Sequence, residues 1–163
     1  MAARAAYHAG MRYLISLVML LAWGIWLGGT LALFLFVRTL FTQDRSVAIE
    51  AAPRMFAIFE RVQLGFAAAG VLASIGVVAL ARRKSAGTVL VMVLLASMAA
   101  AAQSTLVSPK MHALRVAGNS DSPEFRRLHG SSMMLYSSQA VALLVAGCFL
   151  PGALRLRVVS EPA

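Results

Sequence analysis

The side chains that can do chemistry are concentrated in residues 103–136, a polar stretch between two strongly apolar runs. They comprise His112, His129, Lys110, Arg115, Arg126 and Arg127. Imidazole is the commonest metal ligand and general base among side chains, whereas ammonium and guanidinium groups bind anions. The spacing of these groups decides which of these chemistries is compatible with the chain.

A soft-metal site is one hypothesis for this stretch. His129 and Met133 are four residues apart on one helical face, and His112 follows a methionine in the preceding connection. Imidazole and thioether ligands together suit Cu(I). Alternatively, His129 makes an interfacial hydrogen bond and the methionines fill gaps between helices. The alternative is favoured because no dense Met-x-x-Met motif and no cysteine accompanies these residues, so they are weak metal candidates.

Catalytic and haem-binding patterns are disfavoured. His129 is close in sequence to Ser131, Ser132 and Asp121. However, a nucleophile, its base and the group that orients the base must meet in space, and neighbours on one helix do not reproduce that geometry. All three histidines lie outside the apolar runs or at their edges, which disfavours a haem held between two helices. We therefore expect no enzymatic activity and no cofactor.

The elements that position these residues are four membrane-spanning helices. The chain is 60% hydrophobic with a mean hydropathy of +0.79, and it contains four windows of 25, 20, 25 and 27 residues without Asp, Glu, Lys or Arg. A hydrocarbon core of about 30 Å requires about 20 helical residues. The predicted fold is therefore an all-α integral membrane bundle, a single domain over residues 1–163. Its spans are residues 13–37, 62–81, 86–107 and 130–150.

Helical connections are predicted after the first and third spans. In the second of these, Ser-Pro pairs at 108–109 and 122–123 can each supply an N-cap and a first helical residue. The first pair predicts a short surface helix that stops near Gly118, which can form a left-handed C-cap. The second pair predicts a long helix that continues into the last span, with Glu124 in its first turn.

The connection over residues 38–61 is too amphipathic for a linker. Asp44 or Ser46 can cap a helix there, and Pro53 is expected to break or kink it. An apolar face follows, formed by Met55, Phe56, Phe59 and Val62. We expect this segment to lie near the headgroups and to continue into the second span.

Small and polar residues inside the spans indicate how the helices pack. Gly24 and Gly28 have small-xxx-small spacing with Gly29 beside them, which predicts close approach of a neighbouring helix. In other spans Gln63, Gln103 and Gln139, which can form interhelical hydrogen bonds, are interpreted as packing contacts. The inner faces are expected to contain no Asp, Glu, Lys or Arg, which argues against an active transporter.

The start of the second and fourth spans carries ionisable groups. Glu60 and Glu124 lie beside Arg61, Arg126 and Arg127, which predicts a partly exposed ion-paired cap between the two helix starts. The lone cysteine, Cys148, lies in the last apolar run and cannot form an intrachain disulfide.

The net charge of +9 comes from Arg and Lys in the connections, without interleaved aromatic residues. This pattern indicates topology signals and contact with anionic lipid and predicts no nucleic-acid partner. One side of the predicted bundle carries Arg4, Arg12, Arg82, Arg83, Lys84, Arg155 and Arg157. The other carries Arg38, Arg45, Arg54, Arg61, Lys110, Arg115, Arg126 and Arg127. Because the first set lies in very short segments beside the spans, both termini are predicted to be cytoplasmic.

The segments WLGGTLALFLFV and SPKMHALR…FRRLHGSSMML resemble a family of small membrane proteins, the domain of unknown function 4149 or transmembrane protein 205-like family. The resemblance covers residues 13–150 and is carried by Trp26, Gly28, Gly29, Pro109, Leu114, Arg115, Phe125, Leu128, His129 and Ser132. The family often has a proline just after the first span, where this chain has Val37, Arg38 and Thr39. The resemblance implies four membrane helices and no established reaction. The chain is also more distantly similar to copper-resistance D-type membrane domains.

The predicted function is that of a non-enzymatic multi-pass protein of a membrane, expected to be a bacterial inner membrane. It would be a small transporter-like or stress-handling module, or a subunit of a membrane complex. Its expected partners are the lipid bilayer and a second copy of the chain or another membrane protein. The alternative is a copper or soft-metal handling protein that uses His112, His129 and Met133.

Overall fold

The computed structural model describes residues 2–81 and 83–154. Arg82, Arg155 and Arg157, which entered the orientation argument, lie outside the described residues, and so does the side chain of Arg4. The described part is all-α. Its elements are α1 (Ala2–Gln43), α2 (Arg45–Ala81), α3 (Lys84–Ala102), a π-helical turn (Gln103–Val107), α4 (Ser108–Val116) and α5 (Pro123–Leu154).

Four helical segments are long and apolar enough to cross a membrane, which confirms the predicted fold class. They are Ala9–Gln43, Arg45–Ala81, Lys84–Val116 and Pro123–Leu154. Each is longer than the about 20 residues that a bilayer requires, so the helices extend beyond the hydrocarbon region. The chain is a multi-pass membrane protein.

The helices have two distinct ends, which are named here by their connections. At the loop end lie Asp44, between α1 and α2, and the connection 117–122 between α4 and α5. At the terminus end, Arg83 donates a hydrogen bond from Nη1 to the Gly152 carbonyl oxygen at 3.3 Å, which ties the α2–α3 turn to the end of α5. Consecutive long helices therefore run in opposite directions.

The core of the bundle is built largely from small residues, because lipid tails supply no hydrophobic drive for helix association and packing contacts must supply it. Toward the terminus end the buried cluster consists of Met19, Ala73, Val77, Ala86, Val89, Val93, Ala146, Leu150 and Ala153. A second cluster consists of Trp26, Leu27, Ala67, Ala96, Ala100, Ala142 and Leu143. Large exposed apolar residues such as Leu35, Leu72 and Met98 cover the outer faces and are suited to lipid contact.

The glycine prediction for α1 is wrong in its position. A β-carbon added at Gly24 or Gly28 would meet nothing within 4 Å, so no helix approaches closely there. The close approach is at Gly29, where an added β-carbon would lie 3.0 Å from the Phe59 ring. The three glycines point in different directions around the axis of α1, and of these three Gly29 is the one that faces α2.

The connection after α1 is shorter than predicted, because α2 begins at Arg45 and continues through Pro53 without a break. Proline has no N–H to donate to the carbonyl of Ile49, four residues earlier, and Ile49 is exposed, so the missing bond does not lie in the core. The expected cap is confirmed at Asp44. Its Oδ1 accepts hydrogen bonds from the backbone N–H of Ser46 at 2.9 Å and of Val47 at 3.2 Å.

The connection after the third span follows the predicted pattern except at its start. The backbone N–H of Asn119 donates to Leu114 O at 2.8 Å and Gly118, with a φ of 73°, donates to Arg115 O at 3.0 Å. This is a Schellman C-cap of α4, as the glycine predicts. Ser122 caps α5 by accepting a hydrogen bond from the Phe125 N–H at 3.1 Å.

Ser108, in contrast, does not cap α4. Its backbone is helical, with φ −58° and ψ −42°, because the third span continues through the π-helical turn into α4 without a loop. The prediction of an N-cap at this residue is therefore wrong, and its hydroxyl is available for a contact inside the bundle.

Candidate functional site

A buried carboxylate lies between three helical segments toward the loop end. Glu60 on α2 is 8% exposed, and its Oε1 accepts hydrogen bonds from Ser108 Oγ at 2.5 Å, Tyr136 Oη at 3.1 Å and Gln103 Nε2 at 3.2 Å. These four residues are called the Glu60 cluster. Tyr136 is about 9 Å, at about 1.5 Å per residue, inside the start of the predicted span at Gly130.

The Glu60 cluster corrects two predictions. The inner faces do contain an acidic residue, and Glu60 does not form the predicted ion pair with Arg61, Arg126 or Arg127. Because α2 is continuous, Glu60 lies on the same face as Gln63, three residues later, while Arg61 is exposed. Within the described part of the chain, the salt bridge found is that of Glu50 and Arg54, at 3.1 Å on the surface.

The π-helical turn aims two members of the cluster at Glu60. In an α-helix, residues five apart are separated by about 140° around the axis, so Gln103 and Ser108 would point in different directions. A π-helical turn contains more residues, and the Ser108 N–H accordingly bonds to the Gln103 carbonyl. As a result, Gln103 Nε2 donates both to Ser108 Oγ at 3.0 Å and to Glu60.

A second polar layer lies next to the Glu60 cluster. Gln63 Oε1 accepts from Gln139 Nε2 at 3.0 Å and from Trp26 Nε1 at 3.4 Å, and Gln139 Nε2 also donates to Thr30 Oγ1 at 3.3 Å. Gln63 and Gln139 are 0% and 1% exposed. The predicted hydrogen bonds of the glutamines are therefore confirmed. This layer and the Glu60 cluster together are called the polar column.

Two buried polar atoms in the polar column have no hydrogen-bond partner among the described residues. They are Gln63 Nε2, a donor, and Gln103 Oε1, an acceptor. An unpaired buried polar group costs about 1–3 kcal/mol, and an exception of this kind in a native interior calls for an explanation such as a functional role. The polar column thus holds one free donor and one free acceptor beside a carboxylate.

Aromatic rings flank the Glu60 cluster on its α1 side. The ring of Tyr136 lies 5.6 Å from that of Phe34 and 5.4 Å from that of Phe56, and these two phenylalanines are 5.9 Å apart. The edge-to-face arrangements are of the favourable kind for aromatic pairs. They fix the Tyr136 ring, and with it the hydroxyl that donates to Glu60.

A second group of contacts joins α4 to the start of α5. The guanidinium carbon of Arg115 lies 5.2 Å from the centre of the Phe125 ring, which stacks on His129 at 6.4 Å. Arg115 is half-buried and interacts electrostatically with Glu60. Three of the residues that carry the family resemblance are therefore brought together, and one of them, Arg115, interacts with the buried carboxylate.

The other residues of that resemblance are dispersed. Trp26 belongs to the polar column and Gly29 contacts Phe59, whereas Gly28 is exposed. Ser132 is buried, Leu114 and Leu128 are half-buried, and Pro109 is exposed. The residues that carry the family resemblance therefore do not form one site, and only Arg115, Phe125 and His129 contact one another as a group.

The metal candidates lie on the surface. His112 and His129 are exposed, and Met133 is 41% exposed. Within residues 2–81 and 83–154, no group of three or more His, Cys, Asp or Glu side chains is arranged to hold a metal ion. Copper handling through these residues stays a prediction.

Part of the site could have been found from the sequence. Positions 60, 63, 67, 70 and 74 are three or four apart and hold Glu, Gln, Ala, Gly and Ser, all of them buried. That spacing defines one face of a helix and places Glu60 on it. The contribution of Ser108 has no such signal, because it depends on the π-helical turn.

No family model, curated protein or solved structure matches this chain. The family membership suggested by the sequence motifs stays a prediction. The distinctive chemical feature of the described residues is the polar column, with its buried carboxylate and its unpaired donor and acceptor.

Proposed function

We propose that this protein is a non-enzymatic, transporter-like membrane protein that binds a small cation at the Glu60 cluster. The observation that carries the proposal is the burial of the Glu60 carboxyl inside a membrane bundle, with three donors on one of its oxygens. Ionisable residues inside membrane segments are costly and commonly belong to substrate or ion pathways. This carboxylate removes the sequence-based argument against ion-coupled transport.

The arrangement of Ser108 favours binding over catalysis. Its Oγ donates to Glu60 and accepts a hydrogen bond from Gln103 Nε2, so the oxygen is engaged on both sides. A serine nucleophile needs an adjacent base and a group that orients the base. A carboxylate is a weak base for a hydroxyl group, and the histidines at 112 and 129 are exposed.

We also propose that the terminus end faces the cytoplasm of a bacterial cell, across its inner membrane. The short α2–α3 turn at this end carries Arg83 and Lys84 directly beside two spans, and such charges favour the cytoplasmic side. In that orientation the Glu60 cluster lies nearer the side of the membrane that faces away from the cytoplasm. Membership in the family that the motifs resemble remains part of the proposal.

The test is a flux measurement with the purified chain in liposomes. Gradients of protons, sodium, potassium and tetramethylammonium are imposed in turn, and dissipation is compared with that of empty liposomes. Wild-type protein is expected to dissipate at least one gradient, and Glu60→Gln to abolish this. Glu50→Gln is the matched control, because Glu50 lies on the surface in an ion pair with Arg54. Lack of protein-dependent flux, or equal flux with Glu60→Gln, would overturn the proposal.

A further inference from the structure

We propose that the cation bound at the Glu60 cluster is the proton, with Glu60 as the group that carries it and Gln103 as the side chain that responds. This inference rests on the proposed function and specifies its ligand. It depends on three features of the cluster, namely the occupancy of Glu60 Oε1, the accessibility of Oε2 and the free acceptor on Gln103.

The hydrogen bonds to Oε1 favour a proton over a metal ion. Three donors converge on this oxygen, from Gln103, Ser108 and Tyr136. A carboxylate oxygen has about two lone-pair directions, so Oε1 has none left for a metal, and Glu60 could offer a metal only Oε2. Metal cations such as Ca²⁺ and Mg²⁺ need about six oxygen ligands that present lone pairs. In the Glu60 cluster, the two hydroxyl groups instead point their hydrogen atoms at the carboxylate.

The other carboxylate oxygen is open to a proton. The hydrogen bonds from described residues all end on Oε1, and the buried polar atoms without a partner are Gln63 Nε2 and Gln103 Oε1 rather than Glu60 Oε2. The side chain as a whole is 8% exposed. A hydronium ion can therefore give its proton to Oε2 and leave as water, which converts the carboxylate to a neutral carboxylic acid. Release is the reverse step, with water accepting the proton.

Both protonation states of Glu60 have partners. The ionised form has its three donors and the half-buried Arg115 on α4, which interacts with it electrostatically. The neutral acid is itself a donor and needs an acceptor. Gln103 already contacts Glu60, and its buried Oε1 has no partner. Rotation of the Gln103 carboxamide would present this acceptor to the new O–H.

Few charged or titratable groups surround Glu60 among the described residues. Arg115 on α4 and Tyr136 on α5 are the groups that face it, and α3 with the π-helical turn contributes the neutral Gln103. On its own helix, Arg61 is exposed. From α1, the nearby side chain is the uncharged Phe34 against Tyr136. Protonation of Glu60 therefore changes the charge of a site in which Arg115 is the opposing cation.

The experiment follows the carboxylic-acid C=O band by infrared spectroscopy while purified protein in detergent is titrated with acid. We expect a pH-dependent acid band that disappears in Glu60→Gln and persists in Glu50→Gln. Tyr136→Phe removes a hydrogen bond to the Glu60 carboxyl group, so the frequency of that band should shift. The control is Tyr13→Phe, because Tyr13 is exposed and should leave the frequency unchanged.

The outcomes separate this inference from the proposed function. A band that does not depend on Glu60, or a band frequency that Tyr136→Phe leaves in place, overturns proton binding. If sodium or potassium displaces the proton at constant pH, the ligand is a metal cation and the inference is wrong, although transport still stands. If the titration behaves as expected but liposomes show no flux, proton binding stands and the transport function fails.

Discussion

The indole ring of Trp23 lies against the backbone of Gly147, so closely that a β-carbon at residue 147 would overlap the ring. The ring is held there by a hydrogen bond of 2.7 Å from Trp23 Nε1 to the carbonyl oxygen of Leu143. It therefore cannot turn away without losing a partner for its N–H. This contact fixes the approach of α1 to α5.

Gly147→Ala should consequently destabilise the bundle. Overpacking of a fitted site costs about 1–3 kcal/mol, and here the neighbour is a rigid ring. The measurement is the free energy of unfolding in detergent. Gly65→Ala is the matched control, since a β-carbon at Gly65 would meet nothing within 4 Å. Equal stability of the two variants would show that the Trp23 ring yields easily.

The sequence predicted the membrane fold well because that fold depends on local properties. Length and absence of charge identify a span, and capping residues identify the ends of helices, as at Asp44 and Gly118. These signals do not depend on which helices are neighbours. The number of spans and the C-cap of α4 could therefore be derived without coordinates.

The candidate site was only partly predictable, because it depends on how each helix is rotated about its axis and on which residues of neighbouring helices lie at the same level. Gln63 and Gln139 were identified as interhelical partners from their residue type alone. The sequence predicts a partly exposed ion pair for Glu60 because Arg61 follows it. However, adjacent residues on a helix point about 100° apart, and Glu60 is buried while Arg61 is exposed. Ser108 is predicted to be a cap because it precedes a proline, and the residue types around it do not indicate a π-helical turn.

Ser108→Ala tests the Glu60 cluster. The variant removes a donor to Glu60 and the acceptor of one Gln103 hydrogen bond, so it should reduce the free energy of unfolding by about 1–2 kcal/mol. Ser104→Ala is its control on the same π-helical turn, because Ser104 Oγ bonds only to backbone carbonyls of its own helix. Thermal unfolding in detergent measures both. A larger loss in Ser104→Ala would contradict the assigned role of Ser108.

Asp44 should make the α1–α2 turn sensitive to acid. The side chain of Ser46, then the backbone N–H of Val47 and of Ser46, donate hydrogen bonds that lower the pKa of Asp44 below its ordinary value of 3.8. A lowered pKa means that the ionised form is favoured in the folded state. Its contribution to stability is therefore complete above pH 3.8 and is lost as the pH falls through the lower folded-state value.

The corresponding measurement compares wild type with Asp44→Asn across this pH range. Asparagine keeps the cap but carries no charge, so the wild type should be more stable at neutral pH and the difference should disappear in acid. Ser46→Ala removes the largest cause of the lowered pKa and should weaken the pH dependence. A stability difference that stays constant down to low pH would contradict this account.

Arg115 and Phe125 should be energetically coupled. The guanidinium group lies over the Phe125 ring, and a planar cation stacks there in a way that an ammonium does not reproduce. Arg115→Lys should therefore cost about 0.5–1 kcal/mol in the free energy of unfolding. In a Phe125→Leu background the same substitution should cost less, because the ring is already absent. The exposed Arg126→Lys serves as control in both backgrounds. If Arg115→Lys costs the same with and without the ring, the ring contact contributes nothing, and Arg115 acts through its charge near Glu60 alone.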